Sequence, residues 1–551
     1  MTRPPTPQVL IVGAGPTGLT AACTLLRHGV KVRVVDRRHG PTSAPKALIL
    51  WSGALEVLDR LETAVSIRER SLPLSGASYW SRGRRIAGLG FGALSGTRFP
   101  GPLCVPQPVT EELLYERLIQ LGGTVEWSTE AESVTVEAEE ATVVLSGPGG
   151  ERDTSRTRWL IAADGAHSKV REALGIPFEG STYARDFLLG DGLLEASGRT
   201  PLPPAEAQYH LTPDGVLVVV ALPEGGHRIF FDLPAGSGEG PPDDAELQKL
   251  LDARGPGGWT LTSTAWTSRF RVHTKVAATF GSGPVFLAGD AAHCHSPAGG
   301  QGLNTGVQDG YDLGWKLAAV CAGAEPGLLD SYEAERRPSA VRAVGNADRQ
   351  TKLWLLRSTV SRFLRDTLLH GLSASGALEK RLVPELAQVD LDLTGSPIVW
   401  GTPADGVRPG RRVPDTALSM VYGREADSLH GYVAAGRHTV VVLGVSGTDT
   451  VAARAAEIAA SRHADTAGGN GSNFDVLLIR PTDRGDTFSV PTALPAYDVA
   501  AGRYGTTTQA LYVRPDGVVG ARVPLDHPGG IAELLARIPV GGEQGRVPHA
   551  S

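Results

Sequence analysis

Apolar residues recur along this chain in short blocks set apart by Gly, Pro and Asp, and the blocks predict an α/β architecture of several domains. Residues 8–12 read as a buried strand around the apolar run 9–12, residues 16–28 carry helical periodicity with small side chains, and residues 31–36 read as a second strand. Together they make a βαβ unit. Residues 124–137 and 141–145 alternate apolar and polar positions like antiparallel strands, and 159–163 is a further apolar strand that ends on Asp164-Gly165. Between 178 and 276 the character changes. Runs such as 216–222 and 228–233 are separated by turns like Pro213-Asp214-Gly215, which predicts a mainly antiparallel sheet inserted into the first domain. Residues 284–288 return to a short buried strand ending in Gly289-Asp290, and 301–370 is rich in helix with an interruption at 323–327. Beyond 396, strands at 439–443, 476–479 and 510–513, a helix at 452–460 and a Gly/Ser/Asn stretch at 466–473 predict a small α/β domain. Residues after 538 read as a loose tail. The expected division is 1–177 and 277–395 for one split domain, 178–276 for the inserted sheet and 396–551 for the terminal unit.

Composition narrows the class. A chain of 551 residues is long enough for several cores, and a net charge of -6 is too small to point to nucleic acid or an anionic surface. Four cysteines, Cys23, Cys104, Cys294 and Cys321, form no C-x-x-C pair, which sets aside the usual zinc and dithiol signatures and fits a reducing cytoplasm. No apolar run reaches the ~20 residues of a membrane span, and none at the N-terminus has the form of a signal peptide. The expectation is a cytoplasmic enzyme, monomer or homodimer, with no nucleic-acid or membrane partner and no metal.

Two motifs carry chemistry. Gly13-Ala14-Gly15-Pro16-Thr17-Gly18 is a G-x-G-x-x-G run between strand and helix. Gly13 permits the tight turn, Gly15 lets backbone approach a pyrophosphate, Gly18 lets helix and strand pack closely, and the helix N-terminus at Pro16 adds partial positive charge. Asp36, followed by Arg37, ends the second strand, where a carboxylate accepts from an adenosine ribose. Alone, this motif does not separate NAD from FAD. The segment Gly289-Asp290-Ala291-Ala292-His293, leading through Pro297-Ala298-Gly299-Gly300-Gln301-Gly302-Leu303-Asn304, makes the separation. Asp290 suits a ribityl chain, the Gly299 to Gly302 backbone suits a flat ring, and the helix starting there suits the anionic edge of a reduced flavin. His293 and His295 sit inside that loop, so structural hydrogen bonding is preferred to a metal. No G-x-S-x-G nucleophile elbow occurs, and no catalytic acid or base is assigned.

With these residues the chain resembles the single-component aromatic flavoprotein hydroxylases of the p-hydroxybenzoate hydroxylase type (class A flavoprotein monooxygenases), and more closely the aromatic-polyketide hydroxylases of antibiotic biosynthesis. Ala163-Asp164-Gly165 through Arg171 is similar to the family's Asp-Gly motif, which implies that Asp164 serves FAD and the nicotinamide reductant. Gln107 before Glu111-Glu112 matches an FAD-contacting Gln, and Leu329-Asp330-Ser331-Tyr332-Glu333 to Pro338 matches the segment closing the flavin domain. The resemblance implies a Rossmann-like FAD domain, an inserted antiparallel-sheet substrate domain and a C-terminal degenerate thioredoxin-like domain marked by the turn Arg514-Pro515-Asp516-Gly517. It implies non-covalent FAD, NAD(P)H as transient reductant, and hydroxylation of a polycyclic aromatic by O2 through a flavin C4a-hydroperoxide. Baeyer–Villiger or epoxidising insertion, or a flavin oxidase or dehydrogenase, are the alternatives.

Two positions depart from the family pattern. Lys46 stands where an Arg usually meets the cofactor phosphates, and Gly53-Ala54-Leu55-Glu56 stands in place of Arg-Thr-Leu-Glu. Trp51 is a candidate substrate platform. Tyr209, His210 and Arg228 are candidates to face substrate, although alternation alone leaves inward and outward open. Every cofactor motif precedes residue 395, so the tail is expected to be partly dispensable for flavin binding.

Overall fold

The computed structural model describes residues 7–539 apart from 199, 402–405, 423–424, 445–457, 459–473, 482–495, 500–507 and 526–528. Four consecutive buried residues make Val9–Val12 a strand that needs cover on both faces, and it lies inside a six-stranded sheet. It pairs in parallel with Val32–Asp36 on one side and Trp159–Ala162 on the other. Trp159–Ala162 in turn pairs in parallel with Val285–Leu287, so the chain leaves this sheet after 162 and rejoins it after the insertion. Val125–Trp127 closes the other edge, and Glu130–Val136 belongs to a separate three-stranded sheet with Ala141–Ser146 and Arg152–Thr157. The expected 124–137 strand is therefore two strands, broken at Ser128 where φ is positive.

Helix Pro16–Arg27 packs against the long helix Gly302–Cys321 through a stripe the sequence reading overlooked. Gly306, Gly310 and Gly314 fall one turn apart, and a Cβ on them would collide with Thr17 or Thr24. Missing side chains at helical spacing let the two backbones approach, which aims both helix N-termini at one crevice.

The inserted sheet has eight strands. Two of 19 residues each, Phe178–Ala196 and Trp259–Ala277, run antiparallel, and His227–Pro234, Val216–Ala221 and Glu206–Leu211 follow. The sheet also recruits the hairpin Gly76–Ser81/Arg84–Gly90 through a parallel pairing with Glu206–Leu211, so it extends beyond residues 178–276. Period-two alternation sorts its side chains. Leu188, Leu217, Val219, Ile229 and Phe231 pack under helix Asp244–Arg254, while Leu189, Val218, Val220 and Phe230 face the other way.

The helical region resolves into Gly302–Cys321, a 3-10 turn at Pro326–Leu329, Asp330–Trp354, Thr359–Ala374 and Ala377–Ala387. In the terminal unit, His438–Leu443 runs parallel to Phe474–Pro481 and antiparallel to Gln509–Val513, which pairs back with Val519–Pro524. The terminal unit is thus built on a mixed parallel and antiparallel sheet. The expected helix 452–460 and the 466–473 stretch lie outside the described residues, Ile458 excepted. Among the described residues no helix is long and apolar enough to cross a membrane.

Candidate active site

The first glycine turn is set by crowding. Gly13 has φ +106° and presses against the Ala163 carbonyl, and a Cβ on Gly18 would overlap the Gly13 carbonyl, so neither position tolerates a side chain. Gly15 differs: a Cβ there meets nothing, because it faces the open crevice. That vacancy beside a helix N-terminus is the shape a pyrophosphate needs. Asp36 is buried beneath it. One oxygen accepts from Ala14 N–H at 2.7 Å and the other from Arg38 N–H at 2.8 Å. The guanidinium on Asp36 belongs to Arg38, which also pairs with Glu111 at 3.0 Å, while Arg37 is an exposed residue of the crevice wall.

The second motif supplies open carboxylates. Asp290 is enclosed by protein yet turns its surface to the crevice, and its carboxylate makes no hydrogen bond to another described residue; burial raises its pKa. Asp164, just past the end of the neighbouring parallel strand, also lines the crevice; its Oδ2 accepts from Val170 N–H at 3.3 Å, its Oδ1 is buried without a hydrogen-bond partner, and burial raises its pKa too. Two such carboxylates fit a ligand rich in hydroxyl donors. Beneath Asp290, Asp309 accepts from Gly289 N–H at 3.1 Å and pairs with His293 Nε2 at 2.6 Å and Arg336 Nε at 2.8 Å. Burial pushes the Asp309 carboxyl up, but His293 and Arg336 outweigh it and bring its pKa down to about 2. His293 is thus a structural brace. His295 lines the crevice with both ring nitrogens unpartnered, and burial lowers its pKa to about 3, so it is neutral.

Gly299 and Gly300 hold φ values of +76° and +64°, which turns the backbone flat before the helix. Pro297, Gly300, Gly302 and Leu303 line the crevice, as do Gly13, Gly15, Pro16, Lys46 and Gln107. Asn304 does not; it staples the loop from behind, accepting from Trp51 N–H at 2.7 Å and donating to the Ile49 and Gly300 carbonyls at 2.8 and 2.7 Å. Trp51 is a correction of the same kind. It is buried and its Nε1–H donates to the Gly299 carbonyl at 2.8 Å, so it braces the loop and offers substrate no face. Gly18 likewise packs instead of lining. Gln107 has its side chain engaged, accepting from Ala47 N–H at 3.1 Å and donating to Glu111 at 2.9 Å. Gly53 is explained by its neighbours: a Cβ there would lie 3.0 Å from the carbonyls of Ala387 and Gln388, so the chain at 387–388 fills the space a longer side chain would need.

The crevice continues without a break into an apolar chamber, and together they enclose about 950 Å³. Leu189, Val218, Val220 and Phe230 form its floor, with Trp266 and Trp354 at its sides. Alternation answers the question the sequence left open. Tyr209 lines the chamber, stacked on Tyr79 at 4.9 Å, whereas His210 turns to the opposite face, stacked on Trp80 at 6.0 Å, and is no substrate contact. Arg228 reaches the chamber but is spent on protein: Nε and Nη2 pair with Asp191 at 2.6 and 2.7 Å, Nη1 donates to the Lys46 carbonyl at 3.0 Å, and Nη2 also meets the Pro45 carbonyl. It ties the sheet to the loop carrying Lys46. The sequence reading missed Trp266, Phe270 and Trp354; the first two follow the strand alternation once its inward face is known, while Trp354 arrives from a helix end that no local signal marks.

The FAD binding domain family matches residues 6–347. The chain is 36% identical over 424 residues to 6-methylpretetramide 4-monooxygenase of Streptomyces rimosus, covering 74% of each. It is 32% identical to a flavin-dependent monooxygenase of Mycobacteroides abscessus, covering 96% of this chain and 99% of that one. Among solved structures, the anhydrotetracycline hydroxylase OxyS of Streptomyces rimosus superposes with a TM-score of 0.74 at 28% identity, over 97% of this chain and 98% of that one.

Proposed function

This chain belongs to the FAD binding domain family and is an FAD-dependent aromatic monooxygenase, and from that premise we propose that it hydroxylates a polycyclic substrate of polyketide type with NAD(P)H and O2. The observation that carries the reading is one continuous cavity of about 950 Å³, walled in part by glycine backbone and the Asp290 carboxylate and in part by apolar side chains. That volume holds a dinucleotide's flavin end and several fused rings side by side. In this reading Gly13, Gly15 and the start of helix Pro16–Arg27 hold the pyrophosphate, Asp36 orders the adenosine end, Asp290 accepts from the ribityl hydroxyls, and backbone N–H groups at Gly302 and Leu303 face the ring's anionic edge. Bound FAD supplies the redox chemistry, taking electrons from the nicotinamide and passing them to O2. The protein orients the two ligands and excludes water through Phe230, Trp266 and Trp354. Arg37 and Lys46 on the rim suit a dinucleotide that visits and leaves.

Turnover of fused-ring phenols and quinones under heavy-isotope dioxygen tests the reading. One labelled atom in a new hydroxyl is expected. Label in a new lactone ring would favour Baeyer–Villiger insertion, and label found only in peroxide would make the protein an oxidase.

A further inference from the structure

The turn Arg514-Pro515-Asp516-Gly517 takes no part in the cavity, yet it is seated against the helices of the flavin domain. Arg514 is fully buried. Its Nη1 and Nη2 meet the two oxygens of Glu335 at 2.7 and 2.8 Å, Nη2 lies 3.5 Å from Asp312, the guanidinium stacks over Trp315 at 5.3 Å, and Asp516 holds its near side. The Pro515 carbonyl accepts from Tyr311 OH at 3.1 Å. Gly517 has φ +80°, and a Cβ there would collide with the Arg60 guanidinium. Asp312, Glu335 and Asp516 have the spacing of a cation site, but Arg514 and Lys316, the latter 2.8 Å from both Asp312 and Glu335, already supply its positive charge.

The far ends of these contacts lead to the flavin loop. Tyr311, Asp312 and Trp315 lie on helix Gly302–Cys321, whose first turn lines the crevice. Arg60 ends helix Ser52–Arg60, whose preceding residue Trp51 is bonded to Gly299 and Asn304. The same short helix carries Glu56, which is buried, pairs with Arg412 of the C-terminal unit and lies 3.6 Å from His430. Both helices that frame residues 299–304 are thus gripped from behind by one domain.

We propose that Arg514 and Arg412 are positioning residues, through which the C-terminal unit holds helices Gly302–Cys321 and Ser52–Arg60 so that residues 299–304 keep their place against the flavin. The inference rests on the flavin placement above and reverses the expectation that the tail is partly dispensable. A two-pronged buried pair fixes orientation as well as charge, and helices packed without side chains at Gly306, Gly310 and Gly314 have little freedom to compensate for a shift.

Full-length Arg514→Met, Arg514→Met with Glu335→Gln, and Tyr311→Phe test it, each scored for the apoprotein's thermal midpoint and for FAD affinity by flavin fluorescence. Arg514→Met should weaken FAD binding by roughly tenfold or more. Adding Glu335→Gln removes the uncompensated buried charge and should recover the midpoint while leaving FAD weak. Tyr311→Phe, which deletes one hydrogen bond and should leave folding intact, should weaken FAD by roughly threefold. Parent affinity in folded Arg514→Met or in Tyr311→Phe overturns the proposal, as does a double variant in which midpoint and affinity recover together. A parent protein that bound no FAD would overturn the flavin placement itself.

Discussion

The two halves of the cavity are built on opposite principles. The flavin half is backbone: Gly13, Gly15, Gly299 and Gly300 are there because a side chain would either clash or fill the space, and the Asp290 carboxylate is exposed to it. The substrate half is side chain: Val218, Val220, Phe230 and Trp266 project from three strands, and no one of them is required by backbone geometry. A wall of backbone tolerates one ligand shape and almost no substitution. A wall of side chains on a stiff sheet can be recut for another substrate without disturbing what lies across from it.

The largest effect should come from the backbone half. Gly18→Val puts branched carbons into the Gly13 carbonyl, and the expected result is protein purified without flavin and unable to be reconstituted; retained yellow protein would show the turn to be far softer than its packing implies. Next, Asp290→Ala should raise the FAD dissociation constant about ten- to a hundred-fold, the worth of roughly 1.5–3 kcal/mol for hydrogen bonds to an ionised acceptor. An unchanged constant would move the ribityl chain elsewhere.

Acid probes the support under this half. Asp309 is buried with a folded pKa of about 2, below the roughly 4 of an unfolded aspartate, so its contribution is full above pH ~4 and is lost as pH falls towards about 2. About two units correspond to roughly 2–3 kcal/mol, and Asp309→Asn should remove that part of the acid limb of stability followed by flavin release. A variant with the parent's acid midpoint would place the acid-sensitive group elsewhere.

On the other wall effects should be smaller and separable. Phe230→Ala or Trp266→Ala should raise KM for the aromatic substrate by about tenfold and lower the share of NAD(P)H oxidation that yields product, while FAD affinity stays at the parent value. A change in FAD affinity of the same size would mean that the two halves are not independent. His210→Gln, on the opposite face of the sheet from Tyr209, should leave kcat/KM within about twofold. A tenfold loss there would mean that the substrate engages both faces.

The reach of the sequence follows the same division. The turn Gly13 to Gly18 and the strand ends at Asp36 and Asp290 were legible because backbone conformation and close approach restrict which residues can stand at contiguous positions, and that restriction is written locally. The βαβ order and the strands of the terminal unit were legible for the same reason, since periodicity is local. Only the tertiary structure decided that Tyr209 faces the chamber and His210 does not, because a sheet buried on both faces carries no polar side to mark its orientation. Only it showed that Trp51, Asn304 and Arg228 spend their hydrogen-bonding groups on the protein, that the hairpin Gly76–Ser81/Arg84–Gly90 joins the inserted sheet, and that Arg514 reaches Glu335 across 179 residues of chain. Such pairings depend on which distant elements meet, and a side chain's type states what it can bond to without stating what the fold will bring within reach.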